Sequence, residues 1–126
     1  MTQIKRSIQV SVKTAYMEEH SSLELGRHVF AYTITIHNTG TVAAKLLTRH
    51  WIITDANGKI QEVYGDGVVG EQPYLRPGEA FQYTSAAVIE TPVGSMQGSY
   101  QMIGDDGVAF EAPIAAFSLS IPRTLH

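Results

Sequence analysis

A chain of 126 residues with 44% apolar composition is the size of one domain, expected to span residues 1–126, and is long enough to bury one substantial core. The formal net charge of −3 lacks the basic footprint that phosphate backbones select, so direct nucleic-acid binding is not expected. Cysteine is absent, which removes disulfides, thiolate nucleophiles and thiolate metal ligands together, and the stretch from Met1 to Val10 develops no apolar signal core. No later run is long enough to span a bilayer, so a soluble cytoplasmic protein without membrane contact is the expectation.

Along the chain, alternation with a period of two recurs and helical periodicity does not. Ile8, Val10, Val12 and Tyr16 share one face against Ser7, Gln9, Ser11 and Lys13, the pattern of a half-buried strand. Phe30, Tyr32, Ile34 and Ile36 form the apolar side of a second strand that stops at the turn-rich cluster from His37 to Gly40. From Ala43 to Asp55, Leu47, Trp51 and Ile53 hold one parity while Leu46 and Ile52 hold the other, which predicts a strand covered on part of both faces. Asn57-Gly58 supplies a type I′ hairpin signal into the stretch from Lys59 to Tyr64.

Gly65-Asp66-Gly67-Val68-Val69-Gly70 then spells the G-x-G-x-x-G string of nucleotide-binding loops. Such a loop works when a strand enters it and a helix leaves it, because the phosphate rests on free N–H groups at the helix N-terminus. Pro73 and Pro77 argue against a helix here. Leu75 to Glu79 reads as a turn, and Phe81, Tyr83 and Ser85 open another strand that runs towards Glu90 and ends at Thr91-Pro92-Val93-Gly94. Met96, Gly98, Tyr100 and Met102 continue the alternation, with Gly98 suggesting a bulge or a close backbone approach. A hairpin turn follows from Gly104 to Gly107. In the last strand, Val108, Phe110, Ala112 and Ile114 hold one parity and Phe117, Leu119 and Ile121 the other, which one extra residue near Ala115-Ala116 would reconcile as a bulge.

About seven short strands with turns every ~8–12 residues predict an all-β, immunoglobulin or fibronectin type III-like sandwich of two antiparallel sheets, with Trp51 as a core-filling aromatic on a central strand. A closed barrel is the structural alternative.

Several segments, ordered and spaced along nearly the whole chain, carry a family resemblance. They are Leu47 to Asp55, Gly65 to Pro73, Pro77 to Ser85, Thr91 to Tyr100 and Ile114 to Leu119. In these the chain resembles the ApaG family of small bacterial proteins. The resemblance implies a fibronectin type III-like sandwich in the bacterial cytoplasm with no established catalytic activity. It also implies a gene neighbourhood shared with a dinucleoside tetraphosphate hydrolase and an adenosine methyltransferase of ribosomal RNA, and a link by name to cobalt and magnesium handling. Similar domains in a eukaryotic F-box protein and a DNA-polymerase-interacting protein imply a protein-binding role. Neighbourhood and domain company are associations, and the site must be argued from its own chemistry.

In a sandwich the glycine string connects strands and gains no helix dipole. Asp66 and Glu71 put carboxylates in or beside it, which oppose a phosphate unless Mg²⁺ intervenes, and Arg76 is the one cation between Gln72 and Glu90. Backbone geometry is therefore the leading reading of the glycines. Gly65, Gly67, Gly70, Glu71, Tyr74 and Arg76 make up the candidate partner-binding or anion-binding loop. Partial packing of Val68 and Val69 is expected, with Tyr74 as the contact residue.

His20, His28, His37, His50 and His126 lack the spacing of a local metal site, and Asp105-Asp106-Gly107 reads as turn chemistry rather than a Ca²⁺ loop. His50 is expected to be a packed, hydrogen-bonded residue. There is no nucleophile elbow and no lysine within a strongly apolar segment, so no catalytic residue, cofactor or metal ligand is assigned. The expectation is a non-catalytic module that binds a protein partner. Mg²⁺-dependent binding of a pyrophosphate-bearing nucleotide, or an indirect part in cobalt and magnesium handling, is the lesser one.

Overall fold

The structure is a computed structural model that describes residues 3–122. Eight strands follow in chain order: β1 (Ile8–Tyr16), β2 (His28–Asn38), β3 (Ala44–Asp55), β4 (Ile60–Asp66), β5 (Tyr74–Leu75), β6 (Ala80–Ile89), β7 (Val93–Gly104) and β8 (Ala109–Ser120). One 3-10 turn, Glu18–His20, lies between β1 and β2. Seven of these are the strands expected from alternation; the eighth, β5, is a two-residue pairing inside the connection from β4 to β6.

All pairings are antiparallel, and they build two sheets. One has the order β1-β2-β6, the other β4-β3-β7-β8, with β5 joining β3 on the same edge as β4. The inward residues of the two sheets form the core, including Phe30, Ile34 and Ile36 from β2, Leu46 and Trp51 from β3, and Met96, Tyr100 and Met102 from β7. Trp51 is at its centre and meets Tyr32, Tyr100 and Phe117 edge-on, with ring centroids 5.5, 6.4 and 6.0 Å apart. Such contacts each contribute about 1 kcal/mol beyond the area they bury.

Two local expectations are corrected. Coverage of both faces holds in β3 only at Ile52, half-buried on the face opposite Trp51; the parity of Leu46 has another cause. Leu47 is an extra residue, because Leu46 pairs with Met102 and Thr48 with the adjacent Gln101. This bulge lets Leu46 and Trp51 point to the same core, both nearly fully buried, although they are an odd five positions apart. The turn at Asn57-Gly58 is not type I′ either: only Gly58 has positive φ, and the Asp55 carboxylate accepts N–H bonds from Asn57 and Lys59, both 2.9 Å. That side chain stabilises a turn in which Asn57 stays in the ordinary region.

The bulge expected near Ala115-Ala116 is present, since Met96 pairs with Phe117 while Gly98 pairs with Ile114. Gly98 is also a place of close approach, where a Cβ would lie 2.0 Å from the His50 carbonyl oxygen.

Candidate functional site

The Leu47 bulge and the glycine string face each other across the edge of the five-stranded sheet. Arg49 shares the inward parity of Trp51, and its guanidinium lies over Gly65, its partner across β4. Nη1 donates to the carbonyl oxygens of Asp66 (3.0 Å) and Gly67 (2.9 Å). The bulged Leu47 carbonyl accepts the Gly67 N–H at 2.8 Å and the Gln72 side-chain amide at 2.9 Å. Gly67 has φ +60, and a Cβ on it would fall 2.2 Å from the Glu71 carbonyl oxygen. The base of the loop is thus held from both sides, by a cation on its carbonyls and by a carbonyl on its amide.

Beyond this base the chain makes a tight hairpin. Val68 N–H donates to Glu71 O at 2.8 Å and Glu71 N–H returns to Val68 O at 3.0 Å. The two central residues, Val69 (φ +44) and Gly70 (φ +81), are both left-handed, so the type I′ turn of this molecule is here. Val68 is fully buried in the core, while the Val69 side chain is 56% exposed at the tip. A left-handed β-branched residue is a genuine backbone outlier.

Tyr74 sits on β5, paired with Lys45, and its hydroxyl donates to Asp105 in the turn between β7 and β8. That hydrogen bond, then desolvation, holds the phenol above its ordinary pKa. Arg76 follows in the next turn, where its N–H donates to the Glu79 carboxylate at 2.7 Å. Asn38, almost wholly buried, fixes β5 from below: Nδ2 donates to Val42 O and Leu75 O, each at 2.9 Å, and Oδ1 accepts the Gly40 N–H. Every such bond satisfies a group that would be costly to bury unpaired.

The structure therefore brings Gly65, Gly67, Gly70 and Glu71 into one loop and places Tyr74 and Arg76 on a neighbouring segment. The surface depression at the loop is lined by Asp66, Gly67, Gly70, Glu71 and Gln72, without Arg76. Chemically this arrangement presents carboxylates outward. The N–H groups of Gly67, Val68 and Glu71 are engaged by protein carbonyls, so they are not free to cradle a phosphate. The expectation of partial packing holds for Val68 and fails for Val69, because the type I′ turn aims successive side chains to opposite sides.

Sequence reasoning passed over Arg49 as a clamp. The available signal was an arginine on the core-facing parity of a central strand, which needs a carbonyl or carboxylate partner. On the outer face, the His50 ring stacks on Tyr64 with centroids 4.1 Å apart, and the Tyr64 hydroxyl donates to Glu62 at 3.0 Å. His50 is packed as expected, but its buried Nε2 is 3.7 Å from the Glu62 carboxylate, too far for a hydrogen bond, and has no other partner. Among the described residues, no group of three or more His, Asp or Glu is close enough to hold a metal ion. His126 lies outside the described residues. Among them, too, no helix is long and apolar enough to cross a membrane.

Two buried phenols complete the surroundings of Arg49. The Tyr83 and Tyr100 hydroxyls are hydrogen-bonded to each other at 2.5 Å, and burial pushes both far above the ordinary tyrosine pKa, with the nearby Arg49 charge pulling slightly the other way. Both remain neutral, so the pair acts as a satisfied polar bridge between the sheets.

Comparison with known proteins places these features in a family. The chain is 70% identical over 119 residues to Protein ApaG of Methylococcus capsulatus, covering 94% of each. It is 61% identical over 122 residues to Protein ApaG of Thiobacillus denitrificans, covering 97% of this chain and 96% of that one. A crystal structure of a Bordetella pertussis protein named ApaA superposes with a TM-score of 0.92 at 50% identity, covering 94% of this chain and 97% of that one. The family model described as the ApaG domain matches residues 18–104, a span that contains β2 to β7, the Arg49 clamp and the glycine hairpin, and the chain belongs to the ApaG family.

Proposed function

We propose that this chain is a non-catalytic protein-recognition module whose contact surface is the hairpin tip at Val69-Gly70, together with Tyr74. The observation that carries the reading is Val69 itself, a β-branched side chain held at φ +44 and mostly exposed. Asn or Gly would occupy that turn position without strain, whereas Val there costs about 1–3 kcal/mol. Strain retained at an exposed tip finds its physical rationale in what the side chain touches when a partner is bound.

The clamp supports the same reading. Arg49, Leu47 and Gly67 hold the base of the hairpin rigidly, so an apolar tip is presented with little entropy left to lose on binding. A protein surface with an apolar pocket suits this tip, and basic residues around that pocket would suit the flanking Asp66 and Glu71.

The test compares partners cross-linked to the wild type with those cross-linked to Val69→Asn and Tyr74→Ala. Loss of the same partners from both variants, with the fold of each retained, is the expected result. Equal recovery by all three proteins would overturn the assignment, as would movement of the Gly67 and Val68 amide resonances on titration with adenine nucleotides and Mg²⁺.

A further inference from the structure

Four edge strands bound the two sheets, and one of them is open. An unpaired edge offers a row of N–H and C=O groups to another strand, so proteins block edges with proline, lysine, bulges or covering elements. On β8 the edge carries Pro113 and the bulge at Ala115-Ala116, and β1, with Lys13 on it, lies against β8 across the sandwich. β6 carries no charge, and the Gln61 amide reaches its edge, donating to Val88 O at 3.4 Å. β4 has no proline, lysine, arginine or bulge, and all of its residues are exposed apart from the half-buried Gly65.

The ladder fixes what β4 presents. Just before the strand the Asp55 N–H donates to Lys59 O at 3.0 Å, and just after it the Gly67 N–H donates to Leu47 O at 2.8 Å. Bonded and non-bonded pairs alternate in an antiparallel ladder, so Gln61, Val63 and Gly65 turn their backbone groups to β3. Ile60, Glu62 and Tyr64 turn theirs to the open edge, as Asp66 does its N–H. The side chains of Glu62, Tyr64 and Asp66 share the outer face with His50, so a carboxylate, an aromatic ring and a second carboxylate stand in a row at alternate positions. About 13 Å separates the first from the last. These two acids are the only charges on the strand, and Lys59, the cation next to it, is paired with Glu90 at 2.9 Å.

We propose that β4 takes up an extended segment of another protein, paired antiparallel, in which two Lys or Arg residues four positions apart flank an apolar residue midway between them. In that register one cation faces Glu62, the other faces Asp66 and the apolar residue faces Tyr64, as directly opposed, hydrogen-bonded pairs about 5.5 Å apart. Charge selects the occupant, because a second copy would bring only carboxylates to this edge. Spacing selects the register: a slip of one residue moves both cations to the other face, and a slip of two leaves one carboxylate without its cation. Antiparallel pairing follows the rest of the molecule and is the more stable arrangement per residue. Tyr64 is already stacked on His50 and bonded to Glu62, so its ring loses little freedom when the segment docks. Main-chain bonds supply the affinity of such strand addition and the alternate side chains its specificity. This inference does not depend on the hairpin-tip reading.

The probe is the end-capped heptapeptide Thr-Lys-Thr-Val-Thr-Lys-Thr, titrated into the isotope-labelled protein. Saturable shifts of the Ile60, Glu62, Tyr64 and Asp66 amide resonances are expected, with a Kd of about 0.1–1 mM for so small an interface. Replacing both lysines of the peptide by glutamate should weaken binding about tenfold. N-methylation of the central valine, whose N–H donates to Tyr64 O in this register, should abolish binding, whereas N-methylation of either adjacent threonine, whose N–H points away from β4, should be tolerated.

Glu62→Lys combined with Asp66→Lys should reverse the preference and bind the glutamate peptide; the N-methyl series uses the wild type and reads the proposal whether or not that variant folds. Val69→Asn should bind the lysine peptide as the wild type does, which separates this proposal from the hairpin-tip reading. No shift at millimolar peptide, equal binding of the lysine and glutamate peptides, or equal tolerance of the two N-methyl positions would each overturn the proposal. So would a dimer of the free protein that moves the same β4 amides, since the edge would then belong to a second copy.

Discussion

Gly67 and Gly70 stand three residues apart in one loop and both adopt left-handed backbone, with φ +60 and φ +81, yet their surroundings are opposites. A Cβ on Gly67 would press into the Glu71 carbonyl, whereas one on Gly70 would meet nothing within 4 Å. The base of the loop is a packed joint and its tip is a free turn. The same glycine motif therefore encodes two physical requirements, close approach at one end and chain reversal at the other.

Substitution at the base gives the largest separation between the two. Gly67→Ala adds left-handed strain to a contact that only backbone movement can relieve, and a loss of about 3 kcal/mol is expected. The measurement is the urea midpoint, with an unchanged m-value showing that the fold is retained. A loss below about 1 kcal/mol would mean that the base yields as freely as the tip.

The contrast explains which parts of this molecule were legible in the sequence. Strand alternation is local, so β1, β2, β6, β7 and β8 could be read directly, and the β8 bulge showed as a parity break within one strand. The parity break in β3 showed too, but one sequence cannot distinguish a bulge from a strand covered on both faces; the answer lies in the register of β3 against β7. The glycine string gave its pattern without its donors. Its amides and carbonyls are matched to Leu47 and Arg49, seventeen to twenty residues earlier in the chain, and such pairings leave no periodic trace. The turn at Asn57-Gly58 was misread for a related reason, because the Asp55 carboxylate competes successfully for its N–H groups.

Removing the clamp tests whether the base depends on side-chain chemistry as well as on glycine. Arg49→Met keeps the apolar stem of the side chain, removes the guanidinium and deletes two charge-assisted hydrogen bonds to loop carbonyls, at an expected cost of about 2 kcal/mol. The same change empties the space over Gly65, where in the wild type a Cβ would fall 2.7 Å from the guanidinium. Gly65→Ala should consequently be less harmful in the Arg49→Met background than alone, a coupling of about 1 kcal/mol in a double-mutant cycle. Simple additivity would show that Arg49 rests on Gly65 without depending on the space it leaves.

At the tip the effects are smaller. Gly70→Ala encounters no neighbour and carries only the left-handed penalty, about 1 kcal/mol, visible as a shift of a few degrees in Tm. A loss as large as that of Gly67→Ala would erase the distinction between joint and turn.

Val69 supplies the smallest change and the opposite sign. The turn from Val68 to Glu71 demands positive φ at both central residues, and Asn-Gly is the pair that meets the demand with least strain. Val69→Asn removes a mostly exposed apolar side chain whose loss forfeits little burial, and relieves a β-branched residue from the left-handed region. Stability should rise by about 0.5–1 kcal/mol, measured as an upward shift of the urea midpoint at constant m-value. A protein whose turn tip is improved by so simple a change is holding that residue for something other than stability, and the sign of this one shift decides it. A gain in stability accompanied by loss of partner would separate the two roles of the loop at a single residue. A loss of stability would place Val69 with Gly67, as part of the joint.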